Sequence, residues 1–154
     1  MHLEDSFSRP SSGILLLPPV SRAENHNIHT IAELHPGPSN SWTIHGLWPD
    51  HCDGTYDSSC DASRAYTNIT AILNSFGKTD LLAYMNEYWI DIDGDNESFW
   101  EHEWGKHGTC ISTLKPACYT SYTPTQEVPD FFQKTVDLFK TLDSYTVRSL
   151  HPCS

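Results

Sequence analysis

Residues 98–110 read SFWEHEWGKHGTC, thirteen positions that hold two histidines, two glutamates, a lysine and two tryptophans. The run follows the polar stretch DIDGDNES (91–98) and is closed by Gly108, so a helix over roughly Glu97 to His107 is expected. Taking His102 as origin, Lys106 falls at about 40°, Glu103 at about 100° and His107 at about 140° around such a helix. The four titratable groups then share less than half of the circumference, with Trp104 and Gly105 on the remainder. One carboxylate, one ammonium and two imidazoles facing the same volume are what a catalytic surface would need.

Simpler readings compete with that one. A zincin motif places its histidines in HExxH, whereas HEWGKH is one residue too long and sets Lys106 between them. Asp91, Asp93 and Asp95 imitate the start of a calcium loop, but Asn96 stands where glycine is needed and His102 where glutamate is. No metal or other cofactor is therefore expected. A solvated charged face with pairs such as Glu103–His107 is the third reading. The fourth is structural histidine, the preferred account for lone residues such as His26, His29 and His35.

Upstream, SWTIHGLW (41–48) alternates as a strand does, with Trp42, Ile44 and Gly46 on one side and Thr43, His45 and Leu47 on the other. Pro49 is expected to stop it, and DHCDGTYDSSCD (50–61) reads as a turn-rich loop anchored by two cysteines. Helical spacing of Ala65, Tyr66, Ile69, Ile72, Leu73 and Phe76 predicts a helix after Ser63, stopped at Gly77. Thr79 reads as the N-cap of a second helix through Trp89. A last helix is expected from about Val128 to Leu142, with Val128, Phe131, Phe132, Val136 and Phe139 as its apolar stripe. Residues 1 to about 40 look irregular apart from a possible buried strand in GILLL (13–17), and the final dozen residues form no convincing element. There is no internal repeat.

The length of 154 residues allows one domain. A formal net charge of −11 argues against a polyanionic partner at neutral pH. Protonation of the nine histidines would cancel nine of those charges, so an acidic compartment relaxes that exclusion. Five cysteines (52, 60, 110, 118, 153) without a CxxC pair point to disulfides and an oxidising compartment. Two glycosylation sequons, at Asn68 and Asn96, agree with export. The N-terminus shows no signal-peptide core, its apolar run being too short for one and for a membrane span.

Together WTIHGLWPD (42–50) and FWEHEWGKHGTC (99–110) resemble the two active-site blocks of the ribonuclease T2 family, acid endoribonucleases that include secreted fungal enzymes. The resemblance runs from about Pro38 to Leu142. It implies an α+β fold, an antiparallel sheet flanked by helices. It also implies His45 and His107 as acid–base pair, His102 as a phosphate ligand, and Glu103 and Lys106 as stabilisers of the transition state. Trp48, Asp50 and Tyr56 would form one base site, and Phe99 would help to line a second. The implied reaction is metal-independent cleavage of single-stranded RNA through a 2′,3′-cyclic phosphate, with no activity on DNA, no membrane partner and a monomeric enzyme. The implied location is secreted or vacuolar/lysosomal. Cys60 would pair with Cys110, while Cys52 and Cys118 would face N-terminal cysteines that this sequence lacks. On this reading residues 1–37 are an unmatched segment, 38–142 the catalytic region and 143–154 an unmatched tail. Terminal strands of the family are then expected to be missing. A catalytically inactive RNA-binding fragment is the alternative.

Overall fold

Strand β2 (Thr43–Asp50) pairs antiparallel with β1 (Ser11–Leu17) in a two-stranded sheet. The structure is a computed structural model and describes residues 11–17 (backbone), 37, 38 and 40–142. The expected tail 143–154 and Cys153 lie outside the described residues, as do His26, His29 and His35. The strand expected at 13–17 begins two residues earlier. Pro49 does not stop β2 but stands opposite Ser12. Among the described residues both strands are edges of the sheet, a position in which proline is tolerated.

The register corrects the simple alternation. Leu15 faces Gly46 and Leu16 faces Ile44, so His45 is the extra residue of a β-bulge. A bulge changes the phase of the side chains. Ile44 and Leu47, expected on opposite sides, both enter the core, at 0% and 4% exposure. His45, Gly46 and Trp48 are left for another surface.

Helices α1 (Ile69–Ser75), α2 (Thr79–Tyr88), α3 (Asn96–Lys106) and α4 (Glu127–Lys140) follow, with short 3₁₀ turns at Ala62–Arg64, Gly108–Cys110, Ser112–Leu114 and Pro116–Cys118. Helix α1 starts later than the spacing from Ala65 predicts, for two reasons. Asp61 caps the preceding 3₁₀ turn by accepting from Ser63 N. The helix itself is capped from outside: the Glu97 carboxylate, in the first turn of α3, accepts from the Thr70 N–H and hydroxyl. Asn68, the residue at the N-cap, makes no capping bond. Thr79 likewise begins α2 rather than capping it, Lys78 holding that position. Gly77, with φ of 67°, ends the preceding segment as expected.

The whole apolar stripe expected of α4 is buried, and with Trp89, Trp100, Trp104, Ile44, Ile69, Leu73 and Met85 it forms one core. Two polar knots cross this core. Arg64, 5% exposed, donates to Asp61 Oδ2, Leu114 O and Thr109 O, and its own carbonyl accepts from Trp104 Nε1. Glu127, fully buried, accepts from the hydroxyls of Tyr66 (3.2 Å) and Tyr122 (2.8 Å), while Tyr119 donates to Asp130 (3.0 Å). The Cys60–Cys110 disulfide closes a separation of 50 residues, a cross-link worth about 4 kcal/mol if loop-closure entropy sets its value. Cys52 and Cys118 are free and exposed. The architecture is α+β.

Candidate active site

The bulged strand and the last two turns of α3 meet at one carboxylate. Glu103 is fully buried; its Oε2 accepts from Trp48 Nε1 at 2.8 Å and its Oε1 lies 3.6 Å from His45 Nε2. Room for this approach comes from Gly46, where a Cβ would overlap Glu103 Oε2 and stand 2.7 Å from Trp48 Nε1. A glycine inside a strand often marks such a close approach. That was the available signal for a residue which motif reading passed over.

His107 follows the last residue of α3 as its C-cap and lies flat against the Trp48 indole, ring centroids 4.4 Å apart and planes 13° from parallel. His45 meets Trp48 and Phe99 edge-on, at 5.6 and 5.3 Å. Trp48 therefore touches all three of His45, Glu103 and His107. One polar atom of each, His45 Nδ1, Glu103 Oε1 and His107 Nε2, is buried without a hydrogen-bond partner. Buried polar atoms are normally paired, and exceptions mark places with another task.

The electrostatics separate the groups. Burial pushes the Glu103 carboxyl up to about 7, against the opposing pull of the Trp48 N–H and Lys106. Burial lowers His107 to about 4, helped by the positive charges of Lys106, His102 and His45. His45 is lowered from its ordinary value by burial first, then by His102 and Lys106. Exposed His102 and half-buried Lys106 thus act on both imidazoles from the helix surface.

Not every expected residue joins this cluster. Phe99 does, through His45. Asp50 is half-buried at the end of β2, and Tyr56 is 65% exposed in the following loop, which the His51–Asp57 contact of 3.1 Å closes. Asn68 is exposed at the start of α1, whereas the Asn96 amide bonds Asn86 Oδ1 and the Asp91 N–H. Among the described residues no group of three or more His, Cys, Asp or Glu side chains is arranged to hold a metal ion. No described helix is long and apolar enough to cross a membrane.

Fold and site together define an α+β protein with paired histidines and a buried carboxylate between a strand and a helix. The chain belongs to the ribonuclease T2 family, which it matches over residues 21–150. It is 68% identical over 109 residues to Ribonuclease Trv of Hypocrea rufa, covering 71% of this chain and 47% of that protein. It is 66% identical over 109 residues to Ribonuclease T2 of Aspergillus oryzae, covering 71% of this chain and 40% of that one. The chain spans about half the length of the curated relatives it matches. Among solved structures it resembles Actibind, a T2 ribonuclease, with a TM-score of 0.74 and 50% identity over 89% of this chain and 66% of that one.

Proposed function

We propose that this chain carries the catalytic centre of a metal-independent endoribonuclease acting on single-stranded RNA. The observation that carries the reading is the trio of unpartnered atoms on His45, Glu103 and His107, gathered around one indole. His107, neutral above about pH 4, is the base that takes the proton of the 2′-hydroxyl. The freed oxygen attacks the adjacent phosphorus, and the bond to the 5′-oxygen breaks as protonated His45 delivers a proton to it. The products are a 2′,3′-cyclic phosphate and a 5′-hydroxyl end. Water then opens the ring with the two imidazoles in reversed roles.

Glu103, largely protonated below about pH 7, offers Oε1 as a hydrogen-bond donor to the phosphoryl oxygens. Lys106 and His102 supply positive charge as negative charge builds there. DNA lacks the nucleophile and is not cleaved. Unpaired bases are needed because they stack on aromatic rings: Trp48, Asp50 and Tyr56 are assigned to one base site and Phe99 to another. His107 is 2% exposed beneath Trp48, so substrate binding includes withdrawal of that indole. The same cover favours a second reading, an RNA-binding chain that does not turn over. The disulfide and the sequons at Asn68 and Asn96 support work in an oxidising, secretory or vacuolar compartment, and the reading takes the chain as a monomer.

The test is incubation with single-stranded RNA near pH 5 in the presence of EDTA, above the value of about 4 at which His107 gains its proton. Cyclic-phosphate ends are expected, with activity rising through His107 deprotonation and declining as His45 loses its proton. His45→Ala is expected to abolish turnover with helix content retained. Binding without products would establish the second reading, and loss of activity to the chelator would overturn both.

A further inference from the structure

The catalytic strand is tied to the helical layer at one backbone atom. At the bulge His45 has no partner across the sheet, since Gly46 pairs with Leu15 and Ile44 with Leu16. Its carbonyl instead accepts from Trp89 Nε1 at 2.8 Å. Trp89 is fully buried and sits at the C-cap of α2, and its own carbonyl accepts from Trp100 Nε1 at 2.8 Å. Trp100 belongs to α3, three residues before Glu103. Phe131 and Phe132 of α4 pack against the Trp89 ring at centroid distances of 6.3 and 5.1 Å and hold its orientation.

We infer that Trp89 is a positioning residue for His45: its indole N–H holds the bulge in place and, with Trp100, sets the separation between the His45 strand and the Glu103 helix. The inference rests on the assignment of His45 as an acid–base residue. Ordinary strand pairing would fix the backbone on both sides of a residue, and a bulge gives up that restraint locally. An unsatisfied carbonyl in the core would draw the strand toward another donor. A shift of about 1 Å at a reacting group can cost a hundredfold in rate. The signal in the sequence was slight, a tryptophan closing a helix 44 residues from its partner.

The test uses the full chain with Trp89→Phe, and a second variant carrying benzothienylalanine at position 89. The second keeps the bicyclic shape and removes only the N–H, so it reports even where the phenyl ring leaves a void. Val136→Ala serves as a core-destabilised control outside the relay. Two quantities are read, the His45 imidazole resonances through a pH titration and the kinetics of RNA cleavage. In both Trp89 variants the His45 resonances and titration midpoint are expected to move. The kcat is expected to fall by about ten- to a hundredfold with KM altered less than about twofold. The control is expected to leave both unchanged. Wild-type resonances in the benzothienyl variant, or equal effects in Val136→Ala, would overturn the positioning role. Displaced resonances with unchanged kcat would uphold that role and instead remove His45 from the chemistry.

Discussion

Glu103 is the residue in which burial and chemistry conflict most directly. Its folded value of about 7 exceeds its ordinary 4.5, so the native state holds this proton more tightly than the unfolded chain does. The stability tied to it is present at pH 4.5 and is lost as pH rises toward 7. His107 works in the opposite sense. The unfolded imidazole takes a proton below about 6.5 that the folded one refuses until about pH 4, so stability rises with pH across that interval. Glu103→Gln removes the first effect while keeping an oxygen for the Trp48 N–H. Its advantage over wild type is expected to grow between pH 5 and 8 to as much as about 3 kcal/mol, measured as unfolding midpoints across that range, and RNA cleavage is expected to fall. Gly46→Ala tests the space beside that carboxylate. A Cβ there cannot coexist with Glu103 Oε2, so a loss of about 1–3 kcal/mol in urea unfolding is expected, with cleavage reduced as Glu103 is displaced.

The strand and helix that carry the candidate site were legible because each contains a dense run of unusual residues. The helix over 97–107 departs from the observed α3 by a single residue at each end. What periodicity could not show was the bulge, because two core residues three apart on a strand, Ile44 and Leu47, violate the period of two that strand reading assumes. Nor could it find the true start of α1. Ala65 and Tyr66 fit the helical spacing, yet Tyr66 serves Glu127 and the cap comes from Glu97, 27 positions beyond Thr70. Local sequence holds no trace of a cap supplied by another helix. Glu97→Ala is accordingly expected to cost about 1–2 kcal/mol, measured by urea midpoint, with a larger loss of amide-exchange protection in α1 than in α4.

At the scale of the whole molecule, composition bears on the proposed function through charge. An acidic chain with nine histidines repels polyanions less as its histidines gain protons, so the proposed action on RNA is expected to be favoured in acid. The aromatic residues that dominate the core, Trp89, Trp100, Trp104, Phe131 and Phe132, lie on three different segments. Their contacts depend on tertiary geometry, which is why the role of Trp89 was hidden in sequence while those of His45 and His107 could be suggested by the family resemblance.

The tyrosines around Glu127 set the limit at the other end of the pH scale. Burial, then the neighbouring carboxylates, holds the phenols of Tyr66, Tyr119 and Tyr122 above their ordinary value. Ionising any of them in place would set an anion beside Glu127 or Asp130. Stability from this knot is whole below pH 10 and drains away in stronger alkali. In a base titration, three of the seven tyrosines should therefore show phenolate absorbance only in step with the collapse of circular dichroism. Gradual colour from all seven before any unfolding would mean that these hydroxyls are not locked to their carboxylates.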